Sequence, residues 1–296
     1  MNTKEFNSDD ASLSVDLSEA RQAVKENRFQ DALVLFEIIL KDDPNHIDSL
    51  YLASVSSRYL KKFDDSKKFI ERLMTIAPDM GRAYQELGHI YRDMGDETKS
   101  VIHYRQACEL NPALLASWSS LYKYFIKKNN QPAADHAREQ IEKLQSLPPA
   151  LLYIDQIMNE GRLGLAERQC RAFLKKNPTH TYAMSLLSEI ANRLGYFDDA
   201  EFLLQKAVEF EPNDGDLRMK YATILRKKQK FAETMEQVNI LCDQFPDNHA
   251  YQAHKASEIM QNGDHEKAIK LLDNIIEKNP YNFSTFTSKG HAQKTL

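Results

Sequence analysis

Basic side chains recur at three fixed positions of a repeating unit in this chain, and they are the residues best suited to bind a charged ligand. Across positions 9, 12 and 13 of eight successive units, nine side chains are basic and three are acidic. They are Arg21, Lys25, Arg58, Arg92, Lys123, Lys127, Arg193, Arg226 and Lys227, against Asp93, Asp155 and Glu189. Because Lys and Arg pair with carboxylates, the pattern favours a surface that selects acidic or carboxylate-bearing segments. An alternative stays open, since the helix dipole alone favours basic residues near a helix C-terminus.

Aromatic and imidazole side chains accompany the basic ones. Tyr51, Tyr59 and His89 fall beside Arg58 and its counterparts in the neighbouring units. We predict that these side chains contact an extended partner together with the basic residues.

Other residues with chemical potential have simpler explanations. The acidic pairs Asp64-Asp65 and Asp198-Asp199 open predicted helices, where we expect them to cap exposed amides rather than form a catalytic dyad or metal site. His249 and His254 are five residues apart and fall on different faces of a helix, which argues against a zinc pair. No His-Glu-x-x-His, Gly-rich phosphate loop or Gly-x-Ser-x-Gly occurs. We therefore predict no enzyme activity, no cofactor and no metal site in this chain.

The elements that position these residues repeat every 34 residues. Prolines mark the period: Pro44, Pro78 and Pro112 share this spacing, as do Pro178, Pro212, Pro246 and Pro280. Between them, Gly or Asn recurs where a helix could end in a left-handed turn, at Asn27, Gly95, Asn129, Gly161, Gly195 and Gly263. A small residue and, seven positions later, an apolar residue follow in each unit. This periodicity predicts stacked helical hairpins and an all-α fold.

The unit from Gly81 to Leu114 resembles the tetratricopeptide (TPR) repeat. That pattern is Trp-x2-Leu-Gly-x2-Tyr, then Ala-x3-Phe and a closing Pro. The matching residues are Tyr84, Leu87, Gly88, Tyr91, Ser100, Tyr104, Ala107 and Pro112. The resemblance implies a right-handed solenoid of about eight helix-turn-helix repeats plus a terminal half repeat. It also implies that first helices line a concave groove for a protein or extended peptide.

The predicted groove residues are Tyr51, Arg58, Tyr59, Arg82, His89, Arg92, Lys123, Lys127, Arg193, Arg226 and Lys227. Only Arg82 matches the carboxylate clamp of chaperone-binding members of the family, and Glu86 would repel a carboxylate there. A chaperone tail is therefore not the expected partner.

The repeat spacing divides the chain into three predicted segments. Residues 1–12 form a disordered leader, residues 13–146 carry repeats one to four, and residues 147–296 carry repeats five to eight and the first helix of a ninth. The division rests on a slip, because Pro112 and Pro178 are 66 residues apart where two units need 68. Prolines near Leu147 stop the preceding helix, predicted from Ala133 to Gln145.

Part of the second half resembles the repeat region of bacterial TPR-containing sulfotransferases. The resemblance runs from about Leu147 to the end and rests on the stretches 166–178, 183–187, 198–204 and 290–296. In that family the repeats precede a catalytic domain that uses the sulfate donor PAPS. The donor-binding loop has no counterpart in this chain, so the resemblance assigns no catalytic residue.

Composition limits the partners and the location. The net charge is -4, from 39 basic and 43 acidic residues, so we expect attraction neither to nucleic acid nor to membranes. No apolar run approaches the roughly 18 residues of a membrane span, and the polar N-terminus is unlike a secretory signal. The widely spaced Cys108, Cys170 and Cys242 are expected to be reduced thiols in second helices. We predict a cytoplasmic location.

The end of the sequence leaves two functions open. Phe283, Phe286, Ala292 and Leu296 belong to a predicted helix with no second helix to cover it, so the chain is a piece of something longer, or a partner covers that face, or copies self-associate there. In the first function, this chain is the binding or substrate-presenting module of a TPR-sulfotransferase-type protein. In the second, it is a free-standing adaptor that binds acidic or carboxylate-bearing peptide segments.

Overall fold

The computed structural model describes residues 9–278, 285–287, 289–290 and 293, and this part of the chain contains helices and turns but no strand. The helices with defined bounds are α1 (Asp9–Lys25), α2 (Phe29–Asp42), α3 (Ile47–Tyr59), α4 (Phe63–Ile76), α5 (Gly81–Asp93), α6 (Glu97–Leu110), α7 (Leu115–Lys127), α8 (Gln131–Gln145), α9 (Pro149–Asn159), α10 (Leu163–Lys176), α11 (Thr181–Arg193), α12 (Phe197–Phe210), α13 (Gly215–Lys227), α14 (Phe231–Gln244), α15 (His249–Gln261) and α16 (His265–Lys278). Among the described residues, none of these helices is long and apolar enough to cross a membrane. The all-α prediction is confirmed.

Each odd-numbered helix connects to the next even-numbered helix through a short turn that contains one residue with positive φ. These residues are Asn27, Lys61, Gly95, Asn129, Gly161, Gly195, Gln229 and Gly263. In the third hairpin the Gly95 N–H donates to the Arg92 carbonyl at 3.0 Å, and the Asp96 N–H donates to the Tyr91 carbonyl at 2.9 Å. This pattern ends a helix in the left-handed region. The six predicted Gly and Asn positions are confirmed, whereas Lys61 and Gln229 were not predicted.

Close contact inside the hairpins depends on small residues. The small position is buried in all eight units, at Ala32, Ser66, Ser100, Ala134, Ala166, Ala200, Thr234 and Ala268. The Ser66 hydroxyl donates to the Ser54 carbonyl at 2.8 Å, and the Ser100 hydroxyl donates to the Gly88 carbonyl at 2.9 Å. At Gly88 an added Cβ would lie 2.7 Å from the Tyr104 ring, so glycine is needed for this approach. The predicted core residue Leu87 is buried.

In three of the 34-residue repeats, the side chain at position 4 forms a hydrogen bond to the turn that precedes its helix. The Trp118 Nε1–H donates to the Pro112 carbonyl at 2.9 Å, and Arg218 Nη2 donates to the Pro212 carbonyl at 2.8 Å. Gln252 donates to the Pro246 carbonyl in the same way. Three different residue types therefore satisfy one backbone acceptor that recurs with the repeat.

The chain forms two compact units, residues 1–162 and 163–296. In the first unit, buried side chains of α2 to α5 such as Phe36, Leu50 and Ile90 form one core. Tyr104, Leu121 and Phe125 belong to a second cluster there. In the second unit, the clusters gather around the residues Leu204, Ile224, Leu217, Leu272 and Ile275. The predicted division at residue 147, which concerns repeat spacing, stays a prediction.

The observed helix ends differ from the prediction at the N-terminus and agree with it near residue 147. α1 begins at Asp9, so residues 9–12 of the predicted leader are helical, and residues 1–8 lie outside the described residues. α8 ends at Gln145 and α9 begins with Pro149 in its first turn, as the prolines predicted. In the last predicted helix Phe286 is exposed, while Phe283, Ala292 and Leu296 lie outside the described residues.

Candidate functional site

A pocket of about 450 Å³ lies between α5, α6 and α7 in the first unit. We call it the basic pocket, and it is lined by Arg92, Gly95, Glu97, Ser100, Val101, Tyr104, Ser120, Lys123, Tyr124 and Lys127. Three of the predicted groove residues, Arg92, Lys123 and Lys127, thus lie around one concavity. Arg92 occupies the last turn of α5, and Lys127 ends α7. The repeat brings them together because equivalent ends of successive first helices are neighbours.

The rim of the basic pocket, formed by Arg92, Lys123 and Lys127, carries excess positive charge. Arg92 donates to Asp93 at 2.8 Å but keeps half of its side chain exposed. Lys127 Nζ pairs with Glu97 at 2.7 Å, and this hydrogen bond lowers the pKa of Glu97 below its ordinary value. Lys123 is exposed and has no carboxylate partner within the part of the chain that the structure describes. Three cations and one carboxylate line the pocket, so an anion is attracted to it.

The floor of the basic pocket, formed by Ser100, Val101 and Tyr104, is buried. The Tyr104 oxygen is 2.5 Å from His89 Nδ1, and Arg92 Nη1 is 3.3 Å from the same nitrogen. Because a guanidinium only donates, Nδ1 is an acceptor, and the Tyr104 hydroxyl must therefore be the donor. Burial, with Arg92 and Arg58 nearby, lowers the pKa of His89 to about 3, which keeps the imidazole neutral.

Arg58 is buried inside the first compact unit rather than exposed on its surface. Arg58 Nε is 2.6 Å from Glu86, and Nη1 is 3.0 Å from Asp93. Arg58 and Glu86 are 8% and 2% exposed, so this pair is inside the protein. The guanidinium also lies 4.5 Å from the centre of the Tyr59 ring, which stacks on Phe29 at 4.3 Å. The Arg58 charge is therefore balanced within the chain.

Arg82 and Tyr51 contact another part of the same unit. Arg82 Nη2 donates at 2.7 Å to Glu160, which follows α9 and is 3% exposed. The Arg82 guanidinium lies 4.9 Å from the centre of the Tyr51 ring, and burial raises the pKa of Tyr51. Nearby, Gln156 in α9 donates to the Ala113 carbonyl at 3.0 Å. The end of α9 thus covers Arg82 and Tyr51 next to the N-terminal ends of α5 and α7.

The predicted residues of the second unit are also paired. Arg193 donates to Glu189 at 2.9 Å, and Arg226 pairs with Glu258 at 2.7 Å. Lys227 donates to Asn192 at 2.8 Å. A pocket of about 440 Å³ lies beside them, lined by Gly195, Tyr196, Phe197, Asp198, Asp199, Lys227 and Lys228. Its two lysines face two aspartates, so it lacks the excess positive charge of the basic pocket.

The predicted capping by acidic pairs is wrong. No side chain caps α4 or α12, whose N-cap residues are Lys62 and Tyr196. The aspartates lie in the first turn inside each helix, where Asp64 pairs with Lys67, and Asp198 pairs with Lys228. Their position still suits the helix dipole.

The remaining candidate residues are metal-ligating side chains and the three cysteines. The described residues contain no cluster of His, Cys, Asp and Glu that could hold a metal ion. All three cysteines lie in second helices as predicted, and all are free. Burial raises the pKa of Cys108 and of Cys170 to about 12, which disfavours the nucleophilic thiolate.

Sequence reasoning missed the residues that shape the basic pocket. Tyr104, Ser120 and Tyr124 are not among the predicted groove residues. One signal was present: Tyr104 replaces a Phe of the repeat pattern, so a hydroxyl enters an otherwise apolar position. Whether the predicted groove residues bind a partner stays a prediction.

Comparison with known proteins supports the repeat assignment. Residues 81–114 match the family model described as "Tetratricopeptide repeat". Together with the succession of hairpins, this match supports a TPR repeat protein. A comparison with curated proteins gave no match.

Several solved structures show similarity at low identity. The APC/C hetero-tetramer Cut9-Hcn1 is 16% identical with a TM-score of 0.43, covering 97% of this chain and 57% of that one. Naa15/Naa10 bound to HypK-THB is 17% identical with a TM-score of 0.41, covering 93% of this chain and 43% of that one. YrrB, described as a TPR protein with an unusual peptide-binding site, is 15% identical with a TM-score of 0.33. The match covers 75% of this chain and 97% of that one. This chain spans about half the length of the first two.

Proposed function

We propose that this protein is a TPR scaffold that binds an acidic segment of a partner protein at the basic pocket. The observation that carries the proposal is the convergence of Arg92, Lys123 and Lys127 on one concavity that contains a single carboxylate, Glu97. Charge-assisted hydrogen bonds from Lys and Arg to carboxylates are stronger than neutral ones. An acidic segment would therefore find several such donors within one site.

Comparison of adjacent 34-residue repeats, called units in the next two sentences, explains why this pocket keeps positive charge. Arg58, at position 12 of its unit, meets Glu86 at position 6 of the next unit and Asp93 at position 13. Arg92 is at the equivalent position 12, but the next unit offers Ser120 at position 6 and Lys127 at position 13. Because both acidic partners are missing from α7, the pocket keeps the positive charge that α5 neutralises around Arg58. Arg58 and Arg82, the other predicted groove cations of the first compact unit, are paired with the buried carboxylates Glu86 and Glu160.

The first test reverses the charge of the rim. We would measure the fluorescence anisotropy of a labelled hexaglutamate peptide with the full chain, and with Lys123→Glu/Lys127→Glu. A matched control is Lys41→Glu/Lys68→Glu, which changes the net charge equally on α2 and α4. We expect binding that weakens with salt and is lost only in the rim variant. Equal binding by all three proteins would contradict the proposal.

A second variant closes the pocket without removing a cation. Ser120→Glu would supply Arg92 with the carboxylate that Glu86 supplies to Arg58. We expect the variant to fold, because position 6 already holds a glutamate in α5, and to lose hexaglutamate binding. A Ser120→Gln control has a similar size and no charge, so it should retain most binding. Retained binding by Ser120→Glu would show that the ligand lies elsewhere.

The sulfotransferase relationship is a second candidate, and the stretches between residues 166 and 204 support it. In that function, the repeats would present a substrate to a catalytic domain in the same protein. Reading the coding sequence past Leu296 tests it, because an α/β domain with a phosphate-binding loop should follow. A stop codon directly after Leu296 would favour the free-standing adaptor.

The remaining expectations are independent of this site. The absence of nucleic-acid and membrane partners, the cytoplasmic location and the lack of enzyme activity stay predictions. Self-association through the last helix also stays a prediction, with Phe286 as its exposed described residue.

A further inference from the structure

The basic pocket differs chemically between its rim and its floor. Its rim presents donors, namely the side chains of Arg92, Lys123 and Lys127. In the interior, the Tyr104 hydroxyl donates to His89, and the Ser100 hydroxyl donates to the Gly88 carbonyl. At the α7 side, the Ser120 hydroxyl donates to the Ala116 carbonyl at 2.9 Å. All three hydroxyl protons are therefore used inside the protein, so toward a ligand these oxygens can act only as acceptors.

This arrangement excludes several occupants of the interior. A carboxylate or a phosphate offers only acceptors at neutral pH, and it would face the hydroxyl oxygens and Glu97 without a donor. A lysine or arginine would be repelled by the three cations of the rim. A purely apolar side chain would remove water from the hydroxyl oxygens without replacing its hydrogen bonds, which is unfavourable.

The walls of the basic pocket favour a flat apolar side chain in the ligand. Val101 on the floor is buried, and the Tyr124 ring lines the side that α7 provides. An apolar cavity of about 150 Å³ accepts benzene, so about 450 Å³ leaves room for an aromatic side chain. Tyr and Trp combine such a body with one polar donor at the edge of the ring.

We propose that the basic pocket takes a Trp or Tyr side chain that is flanked by acidic residues in the partner segment. The ring lies against Val101 and Tyr124, and its N–H or O–H donates to the oxygen of Tyr104 or Ser120. The flanking carboxylates pair with the rim. This inference rests on the proposed function, since it specifies the ligand of the same site.

The test uses four labelled peptides that differ in one feature each. The first has Trp between two acidic residues on either side, the second has Phe in place of Trp, and the third has Ala. The fourth keeps Trp but has Gln and Asn as flanks. With the full chain, we expect the acidic Trp peptide to bind about tenfold more tightly than the acidic Phe peptide, with the other two weaker still.

A variant of the floor separates the hydrogen bond from general packing. Tyr104→Phe removes one acceptor oxygen and keeps the ring, and its folding is checked by thermal unfolding. We expect this variant to bind the acidic Trp peptide several-fold more weakly than the parent does. Its affinity for the acidic Phe peptide should be nearly unchanged. Equal effects on both peptides would overturn the inference, because the coupling between the two groups would be absent. Ser120→Ala repeats the comparison at a half-buried position.

The outcomes separate the inference from the proposed function. If the three acidic peptides bind equally and lose binding in Lys123→Glu/Lys127→Glu, the inference fails and the proposed function holds. If the neutral Trp peptide binds as tightly as the acidic one, both fail, because acidic flanks are then not recognised. If no peptide binds, both are overturned as well.

Discussion

Protonation of His89 should destabilise the first unit, and the size of the effect follows from its surroundings. Burial disfavours an imidazolium at His89, Arg92 and Arg58 repel it, and the Tyr104 hydroxyl needs the Nδ1 lone pair. Asp93 favours the charged form but does not outweigh these effects. The pKa of His89 is about 3 in the folded protein, against an ordinary value of 6.5. The unfolded chain therefore takes up the proton first. Stability from this group is complete above pH 6.5 and is lost as the pH falls toward 3.

The magnitude can be worked out for a moderate change in pH. At pH 5, the unfolded imidazole lies about 1.5 pH units below its ordinary pKa, while the folded one is still neutral. Each unit corresponds to about 1.36 kcal/mol, so His89 alone should lower the free energy of unfolding by about 2 kcal/mol between neutral pH and pH 5. His89→Gln keeps an acceptor for Tyr104 but cannot be protonated, so it should lose less stability over this range.

The assay uses the single tryptophan, Trp118, which lies in α7 of the first unit. Urea unfolding followed by its fluorescence gives the free energy of unfolding at pH 7 and at pH 5 for both proteins. Because the His136 ring lies 5.5 Å from Trp118, a His136→Gln control separates changes in fluorescence from changes in stability. Equal losses in wild type and His89→Gln would refute the reasoning. That result would mean that the imidazole has access to a proton in the folded state.

Substitutions at three further positions test the packing of the hairpins. Lys61 has a φ of 60°, so Lys61→Gly should raise the free energy of unfolding in urea by up to about 1 kcal/mol. An unchanged or lower value would mean that the left-handed turn carries no strain there. Gly88→Ala places a Cβ 2.7 Å from the Tyr104 ring and should cost about 1–3 kcal/mol in the same assay; a parent-like value would show that the ring can move away. Arg218 is buried, and burial lowers its pKa. Arg218→Gln retains a donor for the Pro212 carbonyl and should melt close to wild type by circular dichroism, while Arg218→Ala should lose about 1–3 kcal/mol; equal melting of both variants would contradict the role of that hydrogen bond.

The sequence predicted the hairpins well because their turns and contacts are local. Gly and Asn mark positions where a positive φ costs little. Lys61 and Gln229 adopt the same conformation without that preference, since packing of the two helices requires the turn whatever residue fills it. Local propensity therefore finds six of these turns, and only the period of the repeat could have located the other two.

The candidate site was predictable to a lesser degree. Arg92, Lys123 and Lys127 converge because position numbers within a repeat determine which side chains are neighbours. The burial of Arg58 was missed, although Glu86 stands at a fixed offset in the next unit. The contact of Arg82 with Glu160 spans 78 residues and does not follow the period, so no repeat pattern could reveal it.

Comparison of the repeats shows how the charge of a position-12 cation depends on the neighbouring first helix. A cation at position 12 is neutralised when the next first helix supplies a carboxylate, as with Arg58 and Glu86 or Arg226 and Glu258. These pairs join neighbouring first helices and leave little charge for a ligand. In α7 Ser120 stands where α5 has Glu86, and Arg92, which pairs with Asp93 of its own helix, keeps half of its side chain exposed. The proposed binding of an acidic segment rests on this positive charge at the basic pocket.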